Sequence, residues 1–241
     1  MFSNLPALLN EYLTILFWYI APCFVAGLIV LFIRFVIKPK DYIYRKTLHM
    51  SAILTVFCFI LPSHTWWIVI LDILTILFLI NITLLILEKT KLYKMLFVDK
   101  AHHEILKMIN AYYLIMAILV LVFYGLRGEE NKYLVIAAIL SWGLGDACAA
   151  IVGIKFGKNK LNLRSADKKK TIEGSIACLI ASFVACLVTL LIFMHYPVWK
   201  YIVAPVLLAL SLTYVEAISK KGMDTVYCPL TAMIILFVFS L

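Results

Sequence analysis

The sequence predicts an all-α membrane protein, a polytopic bundle of about eight transmembrane helices with both termini outside. Three observations carry this. Of the 241 residues, 65% are hydrophobic and 15% charged, far from the roughly half apolar and quarter charged make-up of water-soluble domains. Apolar stretches of about 20 residues, the length that crosses about 30 Å of hydrocarbon, recur from end to end. The basic residues alternate, with all but Arg127, Lys132 and Lys200 of the 22 falling in every second loop. That is the asymmetry expected when those loops face the cytosol.

In chain order the spans read as 13–35, 47–61, 66–87, 111–126, 132–154, 173–194, 201–218 and 225–241. Pro22 and Pro205 fall inside spans, where bends are tolerated. Trp66, Trp67, Tyr112, Tyr113 and Trp199 read as an aromatic belt at the membrane surfaces. The first cytosolic loop carries Arg34, Lys38, Lys40, Arg45 and Lys46; the second carries Lys89, Lys91, Lys94, Lys100 and Lys107. In that second loop, 88–110, Leu92, Met95 and Leu96, then Ile105, Met108 and Ile109, have helical spacing beside lysines. This predicts a helix lying on the membrane surface. The third loop carries seven cations from Lys155 to Lys170, and the fourth Lys220 and Lys221.

No repeat, low-complexity tract or linker interrupts the chain, so a single domain over 1–241 is expected. The N-terminus has no basic region ahead of its first apolar run, so no cleavable signal peptide is expected. The net charge of +9 would suggest nucleic acid in a soluble protein; its concentration in alternate loops points to the bilayer instead. The six cysteines are scattered through apolar spans without a C-x-x-C pair and read as packing residues. Nothing in the sequence specifies an oligomeric state.

The chemistry concentrates between Ser141 and Ser175. Gly145, Ala149, Gly153 and Gly157 repeat every four residues, which makes one helix face thin enough for a neighbouring backbone to approach. Asp146 lies within an apolar span, where an unpartnered ionisable group costs about 2.5–3.5 kcal/mol or more. The basic loop that follows, through Lys168, Lys169 and Lys170, ends at a new helix start, Thr171-Ile172-Glu173-Gly174-Ser175. Helix N-termini beside lysines bind phosphate. The same residues also read more plainly: Thr171 as an N-cap, Glu173 as a first-turn acid, the lysines as membrane anchors and the small residues as packing. Together they suggest a nucleoside triphosphate at the membrane surface with Mg²⁺ held by Asp146. The spacing of G-I-K-F-G-K-N excludes a Walker P-loop.

These residues resemble the CTP-dependent lipid kinases, which include dolichol kinase, phytol kinase and the fungal diacylglycerol kinase. More distantly they resemble the phosphatidate cytidylyltransferases. The resemblance runs through Gly145-Asp146-Ala147, Ala149, Gly153, Phe156 and Gly157, then Lys170, Thr171, Glu173, Gly174 and Ser175. Arg45-Lys46-x-x-His49 is similar to an R-K-x-x-H ahead of an early span, and Glu216, Asp224 and Pro229 to the acids and proline of the late region. Where the family has Asp-Asn, this chain has Asp224-Thr225, so an amide contact there is missing.

The resemblance implies phosphoryl transfer from CTP to the hydroxyl of a lipid alcohol such as a polyprenol, dolichol, phytol-like alcohol or diacylglycerol. It implies Mg²⁺ on Asp146 with Asp224, and nucleotide contacts from Arg45, Lys46, Gly153, Gly157, Lys170, Thr171, Glu173, Gly174 and Ser175. Asp146, Glu216 and His49 are all candidates for the base. By loop charge, all these residues fall at the cytosolic ends of their spans. A cytidylyltransferase forming a CDP-lipid would use the same parts. A lipid or small-solute transporter would instead place polar groups near the midplane and show related halves. The expected location is a prokaryotic plasma membrane, or otherwise an organelle membrane such as that of the endoplasmic reticulum. Outside this group, Asp72 reads as a buried, hydrogen-bonded acid. His102 and His103, with no acid at metal-ligand spacing except Glu104, read as surface residues. His64 and His195 fall in outer loops.

Overall fold

A computed structural model describes residues 5–97, 103–161, 170–219 and 222–241. Among them the chain is helical, with one isolated β-bridge and no strand. The helices are α1 (Leu5–Phe32, prolonged by a π-helical turn, Ile33–Ile37), α2 (Asp41–Ile60), α3 (Trp66–Leu87), α4 (Lys91–Leu96) and α5 (Glu104–Leu119, prolonged by a π-helical segment, Val120–Leu126). After a 3₁₀ turn, Glu129–Asn131, come α6 (Tyr133–Phe156), α7 (Ile172–Phe193), α8 (Val198–Ile218) and α9 (Asp224–Phe239). Among the described residues seven helices, Leu5–Ile37 through Val198–Ile218, are long and apolar enough to cross a membrane; α9 is apolar but shorter. Each span expected from the sequence corresponds to a helix.

The loop 88–110 departs from expectation. Only the six residues of α4 form a separate short helix there. Ile105, Met108 and Ile109 belong to α5, which starts at Glu104 and runs on into the span expected from 111. His103, in the left-handed region at φ 56°, turns the chain sharply into that helix. Glu104 then meets Arg45, with Nη2–Oε1 at 2.7 Å, so the helix carries polar residues in its first turn at little cost.

The chain packs as two compact units, Met1–Leu121 and Val122–Leu241. In the first, α1 packs on α2 and α3, and α3 on α5. Glu11 of α1 caps α3: its carboxylate accepts from the amides of His64 and Thr65, both at 2.7 Å, and from the Thr65 hydroxyl at 2.8 Å. Asn81 and Asn110 exchange side-chain hydrogen bonds of 2.7 and 3.1 Å between α3 and α5. Tyr112 and Tyr113 are interior residues and leave the expected aromatic belt. The Tyr113 hydroxyl lies 2.6 Å from that of Tyr19, and Tyr112 meets Thr55 at 3.3 Å. A buried Tyr satisfies its hydroxyl in this way, and the pattern of apolar neighbours does not reveal it. Trp66, Trp67 and Trp199 stay exposed. Asp72 is fully buried, but among the described residues neither carboxylate oxygen has a hydrogen-bond partner, contrary to the expected bonded acid.

In the second unit α6 lies against α7, α8 and α9, with α7 on α8 and α8 on α9. A helix apolar all round belongs in the interior, and α6 is buried along most of its length. The small residues face α7. A Cβ on Gly145 would stand 2.2 Å from the Ser182 hydroxyl, which donates to the Ser141 carbonyl at 2.9 Å. A Cβ on Gly174 would stand 2.8 Å from the Ala149 carbonyl oxygen. The basic residues outside the loop alternation are engaged here too. Arg127 and Lys200 donate to the carbonyls of Ser240 and Phe239 at the end of α9, the second at 2.7 Å, where cations favour the helix dipole. Buried Lys132 pairs with Glu129 at 3.1 Å and lies over the rings of Tyr124 and Tyr133.

Candidate active site

The approach of α7 to α6 determines where Lys170 lies. Beyond Phe156 the chain leaves α6 through Gly157, where a Cβ would meet the Thr171 methyl at 2.6 Å. Gly153 leaves room for the Thr171 hydroxyl, and its Cα lies 3.3 Å from where a Cβ on Gly174 would sit. The ends of the intervening loop are tied together: the Ile172 amide donates to the Asn159 carbonyl at 2.9 Å, and the Leu161 amide to that of Lys170 at 3.1 Å. The Glu173 carboxylate accepts from the Asn159 amide and side chain at 3.2 and 3.0 Å. Lys168 and Lys169 lie outside the described residues.

These contacts change the reading of the α7 N-terminus. Thr171 is its N-cap, accepting from the Gly174 amide at 3.2 Å, and the Ser175 amide donates to the Thr171 carbonyl at 3.0 Å. Of the amides of Glu173 to Ser175, expected to face a phosphate, those of Gly174 and Ser175 are therefore engaged within the helix. The plainer reading of Thr171 as a cap is the one the structure takes.

Lys170 reaches away from this cap into a carboxylate cluster. Its ammonium forms an ion pair with the nearly buried carboxylate of Glu216 on α8. Asp146, buried on α6, and Asp224, the first residue of α9, also act electrostatically on Lys170. Burial alone would lower the affinity of Lys170 for its proton. Glu216, Asp224 and Asp146 together outweigh that, and the ammonium is held above the usual lysine range. Asp224 Oδ1 accepts from the Thr225 backbone amide at 3.0 Å, a contact an asparagine at 225 would make equally. The four residues span Asp146 to Asp224 in sequence, and the second unit brings them together.

Among the described residues no three of His, Cys, Asp or Glu converge on a metal position. Mg²⁺ that arrives with a nucleotide needs only one or two carboxylates besides phosphate oxygens and water, and Asp146 with Asp224 fits that requirement. An apolar groove of about 610 Å³ runs between α8 and α9, the helices that carry Glu216 and Asp224. It is lined by Val215 and Ser219 flanking Glu216, and by Met223, Tyr227 and Ile234 along α9.

Arg45, Lys46 and His49 stand on α2 in the first unit, all partly exposed. Arg45 is engaged by Glu104, and among the described residues its buried Nη1 has no hydrogen-bond partner. Sequence reasoning missed Glu104, Asn159 and Glu88 as partners. His103 Nδ1 lies 2.7 Å from Glu88 Oε2, so His103 does have an acidic neighbour; His102 lies outside the described residues. No local signal marks these pairs, because the partners are 14 to 59 residues apart.

Residues 7–218 match the cytidylyltransferase family, and the chain belongs to it. Over 52 residues, 22% of this chain, it is 36% identical to the dolichol kinase of Saccharomyces cerevisiae, a stretch covering 9% of that protein. No solved structure matches.

Proposed function

We propose that this chain is a CTP-dependent lipid kinase, moving the γ-phosphate of CTP to the hydroxyl of a membrane lipid alcohol, an isoprenoid alcohol first and diacylglycerol second. The observation that carries this is the lysine held among three acids: Lys170 with Glu216, Asp146 and Asp224. Phosphoryl transfer needs positioning and charge stabilisation more than covalent chemistry, and this cluster offers a cation, metal-binding carboxylates and a base together.

On CTP binding, Lys170 turns from Glu216 to the phosphates and stabilises the charge that develops on them. The acceptor's tail would lie in the apolar groove between α8 and α9, the two helices that carry Glu216 and Asp224. The hydroxyl oxygen attacks the γ-phosphorus, the bond from that phosphorus to the β–γ bridging oxygen breaks, and CDP departs with the bond's electron pair. Glu216, released from Lys170, takes the hydroxyl proton. Mg²⁺ on Asp146 and Asp224 would supply further neutralisation of the triphosphate. Arg45 and Lys46 are assigned to the nucleotide through the R-K-x-x-H resemblance. Gly153, Gly157 and Gly174 serve by letting α7 carry Lys170 close to α6.

Membership of the cytidylyltransferase family favours a second reading, in which a lipid phosphate attacks the α-phosphorus of CTP. Products separate the two. Membranes bearing the chain, given CTP labelled at the γ position with lipid alcohols or lipid phosphates, yield labelled lipid phosphate and CDP for the kinase. Pyrophosphate and CDP-lipid would establish the other reaction. No turnover of any nucleotide would return the chain to the transporter class.

A further inference from the structure

The second unit also holds a polar cavity at its other end, about 20 Å along α6 from Asp146. Its volume is about 870 Å³. Arg127, Lys200, Tyr196 and Glu130 form its polar wall, and Ile192 and Phe193 part of its apolar one.

Three features distinguish it from a solvated dent. First, Arg127 and Lys200 form no ion pair among the described residues; their hydrogen bonds go to the neutral carbonyls of Ser240 and Phe239. Among the described residues Glu130 is the acidic side chain on the wall, against the two cations. Second, Arg127 Nε and the Tyr196 hydroxyl are buried without a hydrogen-bond partner among the described residues, and buried donors are normally satisfied. Third, the wall is already arranged. The Tyr201 hydroxyl accepts from the Tyr196 amide at 2.9 Å and donates to the Met194 carbonyl at 2.6 Å. Lys200 Nζ stands 5.0 Å from the centre of the Tyr196 ring. Burial pushes the Tyr196 phenol up to about 12 despite the opposing pull of Arg127, so it remains a donor at neutral pH.

Two cations and two unsatisfied donors suit a group with several anionic oxygens, as charge-assisted hydrogen bonds to phosphate do. The apolar wall suits a hydrocarbon attached to it. We propose that this cavity binds the phosphate group of an anionic lipid, as a site separate from the Asp146 cluster and independent of the reaction assigned there.

The test uses the purified full chain in neutral detergent. Native mass spectrometry with phosphatidylglycerol should show one lipid retained in preference to phosphatidylcholine, and the melting temperature should rise with it. Tyr196→Phe removes a hydroxyl with no protein partner, so it should leave the lipid-free melting temperature unchanged while weakening retention about tenfold. Arg127→Gln should weaken retention further, although it also uncaps α9, so Tyr196→Phe carries the decision. Equal retention by wild type and Tyr196→Phe would overturn the site. An equal melting shift from inorganic phosphate alone, without preference for phosphatidylglycerol, would overturn the lipid assignment.

Discussion

Replacing Lys170 by methionine separates the structural work of this residue from its chemical work. The substitution leaves Glu216 almost fully buried beside Asp146 and Asp224 without its paired cation. Removing one partner of a buried pair costs about 3–5 kcal/mol. Lys170 is partly exposed, with 23% of its side chain reaching solvent, which puts the cost near the lower bound, about 3 kcal/mol. For a chain of this length that lowers the melting temperature by on the order of 10 °C. The double variant Lys170→Met/Glu216→Gln buries no unpaired charge and should regain most of that loss while transferring no phosphate. The assay is thermal unfolding in neutral detergent beside the initial rate against CTP. Acidity adds a signature. In wild type the raised proton affinity of Lys170 keeps its contribution intact below about pH 10.4, the ordinary lysine value, and loses it only as pH climbs through the higher folded value. Wild-type stability is therefore insensitive to this residue between pH 6 and 8. The single variant should gain stability as pH falls over that range, because protonation relieves carboxylate repulsion that the unfolded chain does not have. A single variant as stable as wild type, or a double variant with restored turnover, would refute the reasoning.

Asp146→Asn should abolish turnover while the chain remains membrane-inserted and folded; substantial activity in a membrane preparation would remove this acid from the site. Gly174→Ala drives a methyl to 2.8 Å from the Ala149 carbonyl and should cost about 1–3 kcal/mol by overpacking, read as a lower melting temperature. Gly145→Ala collides with the Ser182 hydroxyl at 2.2 Å; Ser182→Gly should rescue it in the double variant, and an absence of rescue would mean the backbone of α6 had moved instead. His103→Ala breaks a partly exposed pair with Glu88 and should cost under about 1 kcal/mol, with turnover unchanged.

What the sequence made legible follows the range of the interactions involved. Span positions rest on runs of neighbouring residues, and the helices fall where the apolar runs predict. The seam of α6 with α7 was legible for the same reason, since Gly145, Ala149 and Gly153 repeat along one helix. Lys170, Glu216 and Asp224 entered as separate motif residues, and the second unit joins them around Asp146. That Lys170 is engaged by Glu216 was not legible, because 46 residues separate them. The same limit hid Arg45–Glu104, and it made Tyr112 and Tyr113 look like belt residues when their hydroxyls are satisfied inside the first unit. The α7 N-terminus shows the opposite failure. Thr171 and Glu173 were close enough in sequence to suggest a cap, yet the phosphate reading added amides that the cap itself consumes. In the proposed reaction the nucleotide's phosphates would therefore be held largely by side chains. In that proposal the demand falls on Lys170, and the exchange of its carboxylate partner for a phosphate is the step on which catalysis would depend.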